Sequence, residues 1–242
     1  QSQVTTAMIT GKGEPTLDPR QILFYTELLN KHDIPLIELQ TNGILLADDS
    51  YLDEYALGWY MNGMTTIAIS VVHYEQKINR SIYLPNNEKF TRYPYFDLAR
   101  LVEKLHEKGF SVRISCILLQ QYANITFVRN MINYAQKAEA EQLTFIPLNR
   151  PKHSQNDVAS RWALENQPYR QDIKDIYGWL QTDGIKLLEL PHGAKIYDVD
   201  GQNVCLSNCM GNTANNDEIR NLIFYPSGRI AYDWQYGGAV IL

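Results

Sequence analysis

The residues with the clearest chemical potential form a short turn near the start of the chain. Gly11, Lys12, Gly13, Glu14 and Pro15 follow directly on the apolar run VTTAMIT. Glycines let a backbone approach a ligand closely and take up positive φ angles. The carboxylate of Glu14, held by the proline after it, is suited to receive an ammonium group. A tight strand-to-helix turn with a solvent-facing glutamate fits the same pattern, and the turn alone does not decide between the two.

The elements that must position this turn alternate between strands and helices. One amphipathic helical pattern separates each pair of strand-like apolar runs. These runs begin near residues 4, 35, 65, 110, 143 and 185. The alternation predicts an α/β fold with a parallel sheet and right-handed crossovers. The sheet is either a barrel-like ring or open and doubly wound, and in both cases ligands bind where the strands end.

The pattern changes toward the end of the chain. The last strand-like run of the series ends at residue 190, and a different arrangement is evident from about Asn203. We therefore predict a barrel core over residues 1–190 and a β-rich C-terminal extension over residues 191–242. Within the extension, NLIFYPSGRIAYDW (221–234) has a Pro-Ser-Gly turn between two short strand-like runs, which predicts a β-hairpin.

Composition narrows the class of protein. The 242 residues carry a net charge of −5, with acids and bases interspersed, which argues against a surface devoted to nucleic acid. No segment approaches the ~20 apolar residues of a membrane span, so we expect no membrane partner. The 3 cysteines are too few for a disulfide scaffold, which indicates a reducing, cytoplasmic environment.

Three segments, MITGKGEPTL, LQTNGILL and AISV, occur in an order and spacing that resemble the radical S-adenosylmethionine (radical SAM) enzymes. The resemblance covers roughly residues 4–150. It implies a partial (β/α) barrel in which the turn from Gly11 to Pro15, after the second strand of the family, binds the amino group of the cofactor's methionine moiety. Lys12 stands where the family often has glycine, and a backbone role remains compatible with that difference.

The resemblance assigns further cofactor-binding residues. Thr41 and Asn42 match a Thr-Asn-Gly at the end of the family's third strand, and Ser70 matches a hydroxyl of its fourth strand. Arg113 matches a base of the fifth strand that pairs with the cofactor's carboxylate, a role that suits its planar, bidentate fork. A packed serine and a water-facing arginine are the alternatives. His73 is either a tunable base at a strand end or a structural histidine.

The motif that defines the family, C-x-x-x-C-x-x-C, does not occur in this sequence. Its three thiolates hold a [4Fe–4S] cluster. We therefore expect the chain to begin at the second barrel strand, with the first strand and the cluster ligands upstream of residue 1. Cys205 and Cys209 imitate half of the motif within the extension. They are candidates for an auxiliary metal site that needs further ligands, or else two reduced thiols.

The resemblance implies an enzyme that reductively cleaves S-adenosylmethionine to a 5′-deoxyadenosyl radical, which abstracts hydrogen from an unidentified substrate. A flavodoxin- or ferredoxin-like protein would donate the electron, and this chain without the cluster would be inactive. Two alternatives stay open. One is a cluster-free module that binds S-adenosylmethionine or a nucleotide, and the other is an aldolase- or isomerase-type barrel enzyme with a phosphate-binding turn. Glu14 argues against phosphate, because a carboxylate repels that ligand.

Overall fold

The computed structural model describes residues 4–11, 13–84, 96–150, 156–190, 194–207, 221–232 and 240–241. The helices in these ranges are α1 (Pro19–Lys31), α2 (Asp49–Met61), α3 (Gln76–Tyr83), α4 (Leu98–Glu107), α5 (Ile125–Lys137), α6 (Asp157–Asn166) and α7 (Arg170–Asp183). The strands are β1 (Thr6–Ile9), β2 (Leu36–Thr41), β3 (Met64–Val71), β4 (Ser111–Leu118), β5 (Gln142–Pro147), β6 (Ile185–Glu189), β7 (Lys195–Val199), β8 (Gln202–Leu206), β9 (Ile223–Phe224) and β10 (Ile230–Ala231). None of these helices combines the length and the apolar character that crossing a bilayer requires.

Eight strands form one sheet in the order β1-β2-β3-β4-β5-β8-β7-β6. The neighbours from β1 to β5 pair in parallel, and so do β5 and β8. β7 and β6 add an antiparallel edge, and β9 pairs with β10 in the predicted hairpin. The sheet does not close on itself. This confirms the predicted α/β fold, a partial parallel barrel with a β-rich C-terminal extension.

The prediction that residues 185–190 form the last parallel strand is wrong. β6 pairs antiparallel with β7 at the edge of the sheet, whereas β8 lies beside β5. The cause is a tight hairpin between β7 and β8, in which Asp200 has φ 52° and Gly201 has φ 87°. Two positive φ angles make the short turn that suits twisted hairpin strands. Strands from both sides of residue 190 thus share one sheet, and the division into two parts stays a prediction.

The two faces of the parallel strands differ in chemistry, because successive side chains along a strand point to opposite faces. One face is apolar and lies under α1, α2, α4, α5 and α7 in a single core. Its members in β2 to β5 include Ile37, Leu39, Ile67, Ile69, Val112, Ile114, Leu143 and Phe145. The opposite face, here called the polar face, carries Glu38, Gln40, Ser70, Arg113, Ser115, Gln142 and Thr144. Because these helices cover one face, the sheet is barrel-like rather than doubly wound.

Candidate functional site

The carboxylate of Glu14 is the centre of a hydrogen-bond network between the loops that follow β1 and β2. Its Oε1 accepts from the Thr41 hydroxyl at 2.6 Å, and from the Thr16 hydroxyl at 2.6 Å and the Thr16 amide at 3.0 Å. Its Oε2 accepts from the Asn42 amide at 2.8 Å. A half-buried carboxylate with these four donors is not a solvent-facing side chain. Oε2 retains capacity to accept from a further donor.

The Thr41-Asn42-Gly43 turn orients the groups that Glu14 binds. The Thr41 hydroxyl accepts from the Gly43 amide at 3.0 Å, so its own proton is directed to Glu14. The Asn42 side chain accepts from the Ile44 amide at 2.9 Å, which fixes the turn locally. Gly43 has φ +77°, which favours glycine. Local hydrogen bonds and the backbone conformation therefore explain why threonine, asparagine and glycine occur at these three positions.

The segment after Glu14 is tied to two helices. A short 3-10 turn, Pro15–Leu17, is capped by the Glu14 side chain, and Asp18 then caps the first turn of α1. Tyr51 of α2 donates its hydroxyl to the carbonyl of Thr16. Burial raises the pKa of Tyr51, so its phenol remains a donor near neutral pH. These contacts hold the glutamate against the carboxyl ends of β1 and β2.

The two glycines of the turn have no steric role in the described part of the fold. Gly11 does not have the positive φ that requires glycine. A Cβ at Gly13 would meet no atom of a described residue within 4 Å, and one at Gly11 would be 3.8 Å from the Gly13 nitrogen. Lys12 lies outside the described residues. Glycines that the fold does not need are typical of places where a ligand approaches the backbone.

Ser70 lies on the polar face, near the carboxyl end of β3, and is half-buried. It pairs in the sheet with Ser115 of β4. Ser115 is 1% exposed, and its hydroxyl has no hydrogen-bond partner among the described residues. The sequence predictions missed Ser115. The alternation Arg-Ile-Ser in the β4 run is the signal that places it on the same face as Arg113.

The structure does not bring Arg113 to the Glu14 network. Its guanidinium forms an ion pair with Glu38, a residue that is 8% exposed. Burial raises the pKa of Glu38, and the nearby arginine charge opposes that effect. Arg113 is in register with Gln40, and Glu38 lies two residues nearer the amino end of β2. The guanidinium is thus directed away from Glu14, and its role at the cofactor's carboxylate stays a prediction.

The cysteines do not form a metal site in the part of the chain that the structure describes. Cys205 is buried on the polar face of β8, paired with Thr144 of β5. Cys116 is buried under the helices, and burial raises the pKa of its thiol. No group of three His, Cys, Asp or Glu side chains in the described ranges could hold a metal ion. Cys209 lies outside them, so the auxiliary site stays a prediction.

His73 is a packed, hydrogen-bonded residue. It is 5% exposed, and its Nδ1 accepts from the Glu75 amide at 2.9 Å. The rings of Tyr74, Tyr122 and Phe127 lie 4.2, 4.9 and 5.2 Å from its own ring, centroid to centroid. Burial lowers the pKa of His73, because an imidazolium would lose its hydration there. These contacts support the structural alternative rather than a base in the site.

Comparisons with known proteins bear on the fold. No family model matches the sequence, and no curated protein matches it. A radical SAM methyltransferase from Sphaerobacter thermophilus has a similar structure, with a TM-score of 0.53 and 15% identity. The match covers 74% of this chain and 48% of the methyltransferase. The sheet resembles a radical SAM partial barrel.

Two further radical SAM-related matches are weaker. SuiB from Streptococcus suis, in a structure bound to S-adenosylmethionine, matches with a TM-score of 0.45 and 15% identity over 73% of this chain and 35% of its own. The radical SAM enzyme HemN, coproporphyrinogen III oxidase from Escherichia coli, matches with a TM-score of 0.48 and 18% identity. That match covers 76% of this chain and 42% of HemN. The chain therefore spans about a third to a half of the length of the solved structures it matches. At 15% identity, the comparison with the methyltransferase shows the fold alone.

Proposed function

We propose that this chain is the S-adenosylmethionine-binding part of a radical SAM enzyme. The observation that carries the proposal is the Glu14 carboxylate, anchored at the carboxyl ends of parallel strands with acceptor capacity left on Oε2. The methionine moiety of S-adenosylmethionine carries an ammonium group. A charge-assisted hydrogen bond from that ammonium to Oε2 is stronger than a bond between neutral groups. Glu14 is then a binding residue.

The neighbouring residues support this assignment in two ways. Space beside Gly13 that no described residue fills would let the amino-acid part of the cofactor lie against the backbone. Thr41 and Asn42 touch Glu14 through a hydroxyl and a main-chain amide, so in this proposal they are positioning residues. The Ser70 hydroxyl on the polar face is the predicted next contact toward the interior.

The described residues do not supply the three thiolates of a [4Fe–4S] cluster. We propose that this chain contributes cofactor binding and that the enzyme receives its electron from a protein of the flavodoxin or ferredoxin type. In the family such a cluster reduces S-adenosylmethionine, which starts hydrogen abstraction from a substrate. The scarcity of cysteines fits a reducing, cytoplasmic setting. The proposal does not specify the substrate.

A cluster-free binding module is the second candidate. The lack of a three-ligand group among the described residues favours it. Both candidates share the Glu14 pocket, so a different experiment separates them. Anaerobic reconstitution of the full-length protein with iron and sulfide should yield 5′-deoxyadenosine from S-adenosylmethionine if the protein is an enzyme. A binding module would take up no cluster and form no such product.

Binding titrations test the shared pocket. The ligands are S-adenosylmethionine and 5′-methylthioadenosine, which lacks the amino-acid moiety. We expect the first to bind at least about tenfold more tightly, a difference of about 1.4 kcal/mol. Glu14→Gln should abolish that preference without weakening 5′-methylthioadenosine binding. Asp18→Asn is the matched control, since it removes a nearby charge but keeps a good helix cap. Equal affinity of the native chain for both ligands would overturn the assignment.

A further inference from the structure

Three buried polar atoms without a hydrogen-bond partner among the described residues lie on the polar face of β4 and β8. They are Nε of Arg113, Oγ of Ser115 and Oδ1 of Asn203, and no residue that the structure describes supplies a partner. β4 contributes the first two and β8 the third, with β5 between them. Buried polar groups in folded proteins are nearly always satisfied by protein, water or ligand. Three such atoms on one face therefore leave hydrogen-bonding capacity there that the described residues do not use.

The register brings these residues around one point of the sheet. Thr144 pairs with Cys205, so Asn203, two residues before Cys205, is in line with Gln142, two residues before Thr144. Arg113 pairs with Gln142 from the other side. Neighbouring strands lie ~4.8 Å apart, so the Cα atoms of Arg113 and Asn203 are separated by roughly 10 Å. That separation suits a small polar group between Arg113 and Asn203, beside the Gln142 side chain on the same face.

The charge at this point is already balanced. The guanidinium of Arg113 pairs with Glu38, which is itself 8% exposed on the same face. A ligand anion would therefore meet no net positive charge, and a ligand cation would meet no net negative charge. The unsatisfied groups are one N–H donor, one carbonyl acceptor and one hydroxyl, which can act as either. A neutral ligand with both a donor and an acceptor complements them.

We propose that this part of the polar face binds a carboxamide or peptide amide. The carbonyl oxygen of that amide accepts from Nε–H of Arg113, and its N–H donates to Oδ1 of Asn203. The Ser115 hydroxyl provides a third contact. The further inference that the substrate of the enzyme carries such an amide rests on the proposed function. Binding of the amide itself requires no S-adenosylmethionine.

The probe is N-methylacetamide, and acetate is the matched anion. The Nε–H resonance of Arg113 in a ¹⁵N-labelled chain reports the contact, and its loss in Arg113→Lys assigns it. N-methylacetamide should shift this resonance saturably with a Kd of about millimolar, as expected for so small a ligand, while acetate should leave it unchanged. Primary acetamide is then compared with N-methylacetamide. Tighter binding of acetamide would indicate a terminal carboxamide as the ligand, and tighter binding of N-methylacetamide would indicate a peptide amide.

Variants localise the contact. Ser115→Ala and Asn203→Leu should each weaken N-methylacetamide binding about three- to tenfold, the effect of one hydrogen bond. Thr10→Val, on the same face at β1, should leave it unchanged. A shift of the Arg113 resonance with acetate alone would overturn the proposal. A resonance that responds to neither probe would also overturn it, because Nε–H would then contact only water. The amide titration uses the native chain without S-adenosylmethionine. A negative result would therefore leave the proposed cofactor site untouched.

Discussion

The Oε1 atom of Glu14 and the hydroxyl of Thr41 lie 2.6 Å apart, although 27 residues separate them in the chain. This bond joins the loop after β1 to the loop after β2. It forms because the Thr41 hydroxyl accepts from the Gly43 amide and has its proton free to donate. The glycine-rich turn and the Thr-Asn-Gly turn are therefore one structural unit, at the end of the sheet where parallel βα folds bind their ligands.

Thr41→Val tests the energetic weight of that bond. Valine keeps the shape of threonine but leaves the Gly43 amide and a Glu14 oxygen with one partner fewer, and Thr41 is 2% exposed. We expect the free energy of unfolding, measured by urea denaturation, to fall by about 1–3 kcal/mol. Thr41→Ser keeps the hydroxyl and should lose about 0.8 kcal/mol for the missing methyl group. Equal losses in the two variants would mean that the hydroxyl contributes little.

Two glycine substitutions separate a glycine needed by the fold from one available to a ligand. At Gly43, φ is +77° and a Cβ would lie 2.9 Å from the Phe96 ring, so Gly43→Ala should lower the free energy of unfolding by about 2–4 kcal/mol. At Gly13 a Cβ would have no neighbour within 4 Å in the part of the chain that the structure describes. Gly13→Ala should therefore change stability by less than about 0.5 kcal/mol.

The same pair of variants tests the cofactor pocket. If S-adenosylmethionine lies against the turn, Gly13→Ala should weaken its binding about tenfold or more at unchanged stability, since a methyl group would occupy the path of the ligand. Denaturation and ligand titration on the same preparation measure both quantities. Unchanged affinity in Gly13→Ala would show that the open space beside the turn is not the methionine site.

Local pattern predicts the parallel part of the fold well. The run TTIAISVV predicts β3 because its apolar, β-branched residues suit a buried strand, and the structure has β3 at Met64–Val71. The hairpin of β7 and β8 was missed, although its Asp200-Gly201 step is a strong short-range signal. A sixth helix-separated run at 185–190 looked like the next member of the series, and nothing local shows which strand pairs with β5.

The site divides in the same way. The resemblance groups Glu14 with Thr41 and Asn42, and the structure joins them by hydrogen bonds. The direction of the Arg113 guanidinium could not be predicted, because it depends on Glu38, 75 residues away in sequence. A residue that matches a family pattern in sequence can be placed on its strand and on one face of the sheet. The sequence does not show which distant residue its side chain will bind.

Amide hydrogen exchange tests the corrected strand order. β8 is paired on both sides, by β5 and β7, whereas β6 has a neighbour on one side among the described strands and all five of its residues are exposed. We expect the amides of β8 to exchange about 100-fold or more slowly than those of β6, with β3 as a fully paired reference. Protection of β6 equal to that of β3, with β8 unprotected, would restore the order that the sequence pattern indicated.

We expect His73 to give the fold a dependence on pH. Burial lowers its pKa from the ordinary value of 6.5, and the carboxylate of Glu75 partly opposes this. The unfolded chain therefore binds the proton more readily than the folded one. The stabilising effect of the neutral ring is fully present above the unfolded-state pKa, and it is lost as the pH falls through the folded-state pKa. We expect the urea midpoint to decrease between about pH 7.5 and pH 5.

His73→Asn isolates this effect. Asparagine places an acceptor near the position of Nδ1, which bonds to the Glu75 amide, but it has no group that titrates in this range. Overall stability should fall because the contacts with the Tyr122 and Phe127 rings are lost, while the pH dependence becomes flatter. A native slope in His73→Asn would assign the pH dependence to another residue.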